Sequence, residues 1–342
     1  MRTVLVGATG AVGLQMLTIL EERGFPADDL VPVASPRSAG TRLPYGDAQL
    51  EVVALAPEVF ADGDLALFDV PDEVSEQWAP IAAERGAIVI DNSAAWRMHE
   101  RVPLVVPEIN PEDALQRPLG IIASPNCTTL TMVVPLAALH AQARLERVVA
   151  ASYQATSGTG RPGVTELWQQ LLDAAEAPDV VTTGRAGDVL SAGTAYPHPI
   201  AMNVLPHAGS FKDNGYTSEE IKMCHETRKI MGIPDLRVTA TCVRVPVMVG
   251  HSVAVHASFS RPIDPDEARK ILEDADGVVV LDDPERAVYP TPLQAAGQDP
   301  CYVGRIRQDP WEANTLEMFC VADNLRKGAA LNTVQIAELL LD

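Results

Sequence analysis

The sequence predicts an α/β chain of two domains, the first a parallel, doubly wound sheet and the second α+β with a mixed sheet. Three observations carry this. A glycine turn sits between a short apolar strand and an amphipathic helix, strand-like and helix-like segments alternate up to about residue 130, and longer β-rich stretches follow. The 342 residues are 47% hydrophobic, enough to bury two cores of ordinary size.

The apolar run Thr3 to Val6 reads as a buried strand. Ala11 to Glu22 then carries Val12, Met16, Leu17 and Leu20 at helical spacing and is closed by Gly24. Further strands are expected at Leu30 to Ala34, Leu65 to Phe68, Ala87 to Ile90 and Gly120 to Ala123, with a helix over Glu73 to Arg85. Beyond residue 130 the β-rich stretches are Arg147 to Tyr153, Val238 to Val247 and Ser252 to Ser260. Thr182 to Pro206, rich in Gly and Pro, reads as a long irregular connection. Gly328 to Leu341 has the apolar spacing of a terminal helix that packs back on the core. The expected division is residues 1–126 with 325–342 against 127–324.

A formal net charge of -20 argues against nucleic-acid partners, which need a cationic surface to displace counterions. The strand that opens the chain leaves no room for a signal peptide, and no run of about 18 apolar residues marks a membrane span. The five cysteines are odd in number, widely spaced and without a CxxC pair, so neither a disulfide framework nor a metal site is expected. A reducing cytoplasm fits this usage.

Gly7-Ala8-Thr9-Gly10-Ala11-Val12-Gly13 follows a strand and opens a helix, the setting in which backbone N–H groups and the helix dipole cradle a pyrophosphate. This Rossmann-like context lifts the loop above a bare glycine match, although its spacing is Gly-x-x-Gly-x-x-Gly and not the commoner dinucleotide form, and the bland alternative is a tight turn without a ligand. Gly7, Thr9, Gly10, Ala11 and Val12 are therefore candidate cofactor contacts. After the next strand, where an NAD-binding chain usually offers an acid to the ribose, stand Ser35, Arg37 and Ser38. A cation flanked by hydroxyls suits the 2′-phosphate of NADP, and the bland alternative is a lone surface arginine.

Cys127 follows the strand Ile121 to Ala123 at the start of a helical stretch, where the positive helix end favours a thiolate. Position alone would make it a buried structural cysteine. Arg244 lies inside an apolar strand, where a charge is costly unless it is paired or aimed at an anion. His251, after Gly250, sits at a turn between two strand-like runs, and a hairpin there would bring it to the same end as Arg244. A histidine in that place can take a proton from the thiol or exchange one with a hemithioacetal oxygen. His256, in mid-strand, reads as structural.

These pieces together resemble the aspartate-β-semialdehyde dehydrogenase family along nearly the whole chain. The shared segments are Gly7 to Gly13, Arg37-Ser38-Ala39-Gly40, Asp91-Asn92-Ser93, Val106 to Asn110, Ser124 to Thr129, Tyr153 to Gly158, Gly215 to Met223, Glu226 to Met231, Thr241 to Pro246, Val303 to Arg307 and Asp323-Asn324-Leu325. The resemblance implies reversible, NADP-dependent interconversion of aspartyl phosphate and aspartate semialdehyde through a thioacyl enzyme. By the same match, Cys127 is the nucleophile, His251 the acid/base and Gln154 the group that orients the intermediate. Arg244 pairs with the substrate α-carboxylate, Glu219 with its amino group, Arg97 and Lys222 with phosphate, and Asn126 bonds near the reacting carbonyl. Ser157, Gly158 and Asn324 are implied as further cofactor contacts, and a homodimer as the assembly. Without the resemblance, Arg97 is a solvated loop cation beside Trp96, and Glu219 and Lys222 are a surface ion pair three residues apart.

One stretch departs from the pattern. Where members usually have a small Ser-Ala-Gly turn after the strand Leu65 to Phe68, this chain has Asp69-Val70-Pro71-Asp72-Glu73, bulkier and acidic beside the expected cofactor path. The rival readings are a specialised paralogue, N-acetyl-glutamyl-phosphate reductase, a CoA-thioester reductase and a catalytically weak scaffold. Glu219 argues against an acylated amine, and the presence of both Cys127 and His251 argues against a scaffold.

Overall fold

The computed structural model describes residues 2–25 and 30–341. The chain forms two compact units, one of Met1–Leu130, His225–Pro234 and Leu325–Asp342, the other of Thr131–Cys224 and Asp235–Asn324.

In the first unit, β1 (Thr3–Val6) is buried at every residue, as a strand covered on both faces must be. It leads through the glycine turn into α1 (Ala11–Glu22), which buries Met16, Leu17, Ile19 and Leu20. There follow β2 (Leu30–Ala34), the antiparallel pair β3 (Arg42–Tyr45) and β4 (Ala48–Glu51), and β5 (Val53–Ala54). Next come β6 (Leu65–Phe68), α2 (Asp72–Glu84), β7 (Ile88–Asp91) and β8 (Ile121–Ala123). The sheet order is β5-β2-β1-β6-β7-β8 with every pairing parallel. The order reverses between β1 and β6, which makes the crevice beyond their carboxyl ends the place for a ligand.

Helix α3 (Cys127–Ala143) begins in the first unit and continues in the second. The second unit contains β9 (Leu145–Gln154), α4 (Arg161–Glu176), α5 (Pro178–Thr182) and α6 (Ser218–Ile230), the last of which also has residues in both units. It goes on through β10 (Arg237–Arg244), β11 (His251–Phe259), α7 (Pro265–Glu273), β12 (Val278–Val280), α8 (Pro292–Ala295), β13 (Cys301–Gln308) and β14 (Thr315–Ala322). Its sheet, β10-β9-β11-β14-β13-β12, is mixed: the outer pairs β10–β9 and β12–β13 are parallel and the inner pairs antiparallel. The chain then returns to the first unit as α9 (Leu331–Glu338), whose Leu331, Val334 and Ala337 join Leu5, Leu20 and Leu67 in one apolar core. Among the described residues no helix is long and apolar enough to cross a membrane.

Two local expectations are corrected and a third, the terminal helix, is refined. No hairpin joins Arg244 to His251, because β9 lies between β10 and β11 and pairs with both. The strand expected to run to Val247 stops at Arg244, two residues before Pro246; residues 245–248 turn instead along 154–157, with Thr156 N–H bonded to Val247 and Ser157 N–H to Met248. The terminal helix opens on a π-helical turn, Arg326–Ala330. There the fully buried Lys327 donates to Glu108 at 2.7 Å, which neutralises its charge, and to the amide oxygens of Gln335 at 2.8 Å and Asn332 at 3.0 Å.

Candidate active site

The glycine turn fits a dinucleotide. Gly7 has φ +94°, and a methyl built on it would lie 1.9 Å from the Asp69 carbonyl oxygen, so only glycine allows β1 and β6 to end this close together. Gly10 precedes α1 in extended conformation without a side-chain cap, and Gly10 and Ala11 are exposed. That leaves the first turn of the helix open to an anion. Thr9 and Val12 are partly buried beside them. At the end of β2, Ser35 and Arg37 are exposed and the partly buried Ser38 closes a turn through its N–H bond to the Ser35 carbonyl at 2.9 Å.

Cys127 is the first residue of α3 because Asn126 caps the helix: its Oδ1 accepts from Thr128 N–H at 2.9 Å and from Thr129 N–H at 3.1 Å. The thiol therefore stands at the positive end of a 17-residue helix, where negative charge on sulfur is stabilised. Cys127 is partly exposed, whereas Cys224, Cys242, Cys301 and Cys320 are buried. Burial pushes the Cys242 thiol up to about 12 and raises that of Cys320. Among the described cysteines, Cys127 alone has both access and a favourable field.

Arg97 is no solvated loop cation. It is buried, donating from Nε to the Ser124 carbonyl at 2.8 Å, from Nη2 to the Asn92 carbonyl at 2.8 Å and from Nη1 to Glu226 at 3.2 Å. Glu226 uses its other oxygen to accept the Asn126 N–H at 2.6 Å. One buried carboxylate thus fixes both the guanidinium and the residue that precedes the thiol. Lys229, one turn on, donates to the carbonyls of Arg97, His99 and Val102 at 2.7, 2.9 and 2.8 Å, which pins the loop that carries Arg97.

In the second unit, strand register assembles the other candidates. Arg244 at the end of β10 pairs with Gln154 at the end of β9, and Ser252 of β11 pairs with Tyr153, which sets His251 at the same sheet end. Gly158 lies against both: a methyl built on it would meet Arg244 Nη1 at 2.7 Å and His251 Cε1 at 3.0 Å. Arg244 Nη1 donates to the Ala155 carbonyl at 2.7 Å. Gln154 Nε2 donates to Glu219 at 3.3 Å, and Lys222 lies 3.7 Å from the other Glu219 oxygen. Asn324 accepts the Gly250 N–H at 2.9 Å and bonds Ser157 Oγ at 3.0 Å, tying together the loops on either side of His251.

His251 is completely buried, and its Nδ1 accepts the Ala155 N–H at 3.0 Å. Burial, with Arg244 adding to it, holds the ring well below its ordinary pKa. A neutral ring whose Nδ1 accepts carries its proton on Nε2. That atom is buried without a hydrogen-bond partner among the described residues, as is Arg244 Nε. Two orphaned donors at one sheet end suit an anionic, oxygen-rich substrate. His256, by contrast, bonds Glu317 on the neighbouring strand at 2.7 Å.

Residues 2–117 match the family model described as semialdehyde dehydrogenase, NAD binding domain, and residues 136–327 match the semialdehyde dehydrogenase dimerisation domain. The aspartate-semialdehyde dehydrogenase of Aquifex aeolicus is 47% identical over 342 residues, covering 99% of this chain and 98% of that one. The chain belongs to the aspartate-semialdehyde dehydrogenase family. A second member, from Streptomyces akiyoshiensis, is 50% identical with 99% of this chain and 98% of its own covered. Among solved structures, aspartate semialdehyde dehydrogenase II of Vibrio cholerae in complex with ASA superposes with a TM-score of 0.91 at 40% identity, over 99% of this chain and 98% of that chain.

Within the family fold, Cys127, Asn126, Arg97 and the glycine turn belong to the first unit, and Gln154, Ser157, Gly158, Glu219, Lys222, Arg244, His251 and Asn324 to the second. Sequence reasoning missed Glu226 and Lys229 as supports of the site. Their signal was the spacing of Glu219, Lys222, Glu226 and Lys229 on one helix, which marks a single face of α6.

Proposed function

We propose that the chain catalyses the NADPH-dependent reductive dephosphorylation of L-4-aspartyl phosphate to L-aspartate 4-semialdehyde, reversibly and through a thioacyl enzyme on Cys127. The observation that carries this reading is the partly exposed Cys127 at the capped N-terminus of α3. The thiolate attacks the acyl carbon, the C–O bond to phosphate breaks, and phosphate leaves with the electron pair. Arg97 and Lys222 neutralise that anion, since cations match phosphate oxygens. Bound NADPH supplies the hydride that reduces the thioacyl carbon.

As hydride arrives, negative charge grows on the carbonyl oxygen. His251 Nε2–H is suited to donate to that oxygen, and Asn126 to add a second bond. Collapse of the hemithioacetal oxyanion re-forms the carbonyl, expels the Cys127 thiolate and leaves the aldehyde. A neutral ring protonated on Nε2 does not take the thiol proton, so thiolate formation falls to the helix end and not to His251. Arg244 orients the α-carboxylate, Glu219 the amino group and Gln154 the intermediate. The 2′-phosphate of the cofactor is assigned to Ser35, Arg37 and Ser38, its pyrophosphate to the turn Gly7 to Val12, and its remaining contacts to Ser157, Gly158 and Asn324.

Residues 1–126 with 325–342 are assigned to cofactor binding, and 127–324 to catalysis and to pairing of two copies as a cytoplasmic homodimer working in amino-acid biosynthesis. The test is phosphate-dependent reduction of NADP⁺ by aspartate semialdehyde. Wild type is expected to turn over and Cys127→Ala to be inactive while still binding NADPH. Turnover of N-acetyl-glutamate semialdehyde instead would reassign the substrate.

A further inference from the structure

We propose that Asp69 sets the affinity of the glycine turn for its dinucleotide, standing as a fixed anion against the position of the pyrophosphate, so that removing its charge tightens binding. The proposal rests on the dinucleotide reading of that turn.

β1 and β6 are the neighbours at which the sheet order reverses, with Val6 opposite Phe68. The next residue on one strand is Gly7 and on the other Asp69. Asp69 N–H bonds the Val6 carbonyl at 2.9 Å, so its backbone continues the ladder and its side chain enters the crevice at the carboxyl ends. Its Oδ2 lies 3.6 Å from the position a methyl on Gly10 would take, beside the uncapped first turn of α1. Its Oδ1 accepts from Asn92 Nδ2 at 3.0 Å, which holds the carboxylate in this pose. Val70 Cγ1 leans on the same loop, 3.4 Å from where a methyl on Gly7 would stand.

A helix N-terminus attracts phosphate because its N–H dipoles point at it. A carboxylate beside that turn opposes its field and repels the two negative phosphates that arrive. The charged groups around Asp69 are Asp91 at the end of β7, which adds negative charge, and the buried Arg97, which offsets it. Burial pushes the Asp69 carboxyl above the ordinary carboxylate range, the Asn92 bond pulls it back, and Asp91 raises it further. The anion therefore stands in an environment that already disfavours its charge, and a second anion increases that penalty.

The experiment is a fluorescence titration of NADPH into wild type, Asp69→Asn and Asp69→Ser, with circular dichroism melts to show that each is folded. At pH 8 both variants are expected to bind about tenfold tighter than wild type. The gap narrows as the pH falls, because burial raises the wild-type carboxyl and favours its neutral form. Dissociation constants within about twofold of wild type, or weaker, overturn the proposal. In that case saturable binding by all three leaves the dinucleotide reading intact, whereas no saturable binding by any of them overturns both.

Discussion

The Arg97 guanidinium and the Glu226 carboxylate form a buried ion pair, Nη1 to Oε1 at 3.2 Å, with side chains 8% and 1% exposed. Removing the carboxylate strands a buried cation and leaves the Asn126 N–H without its acceptor. Glu226→Ala should lower unfolding free energy by about 3–5 kcal/mol. Glu226→Gln, which can still accept from Asn126, should lose less. Denaturant midpoints measure both; a Glu226→Ala midpoint equal to wild type would show that the pair holds nothing in place.

The buried, neutral His251 predicts how stability depends on pH. Its pKa is held below the ordinary value near 6.5, so the folded protein refuses a proton that the unfolded chain accepts. Its contribution is full above that value, and stability declines as the pH falls below it. Relative to His251→Asn, wild type should lose about 1.4 kcal/mol per pH unit below about 6.5. Melting curves of the two proteins between about pH 5 and 8, taken as a difference, check the slope.

Gly158→Ala tests how closely Arg244 and His251 are set. The added methyl would sit 2.7 Å from Arg244 Nη1, which cannot retreat without giving up its bond to the Ala155 carbonyl. A displacement of this kind should lower kcat/KM by roughly tenfold to a hundredfold. Circular dichroism should show the fold retained; unchanged kinetics would mean that the two side chains have room that the structure does not give them.

Local elements were legible in the sequence because their signals are local. Thr3–Val6, Ala11–Glu22, Leu30–Ala34 and Leu65–Phe68 form with the bounds that periodicity and glycine placement predict. Pairing was not legible, since β9 enters between β10 and β11 from about a hundred residues upstream of His251, and no turn signal records that. The nucleophile was visible as a cysteine at a helix start. Its cap was within the same motif, but the Glu226 that holds Asn126 lies 100 residues away, and a buried ion pair leaves no spacing in the sequence. Nor does the sequence record that Lys327, in the π-helical turn, bonds Glu108, 219 residues earlier in the chain. Asp69 stood out as a departure in residue type, and only strand register revealed that its carboxylate is aimed at Gly10.

A covalent thioacyl enzyme on Cys127 is visible to intact-protein mass spectrometry. Wild type incubated with aspartate semialdehyde and NADP⁺ in the absence of phosphate, then quenched in acid, should gain the mass of one aspartyl group, mapped by peptide analysis to Cys127 and lost on adding phosphate. An adduct that persists in Cys127→Ala, or maps to another residue, would contradict the account.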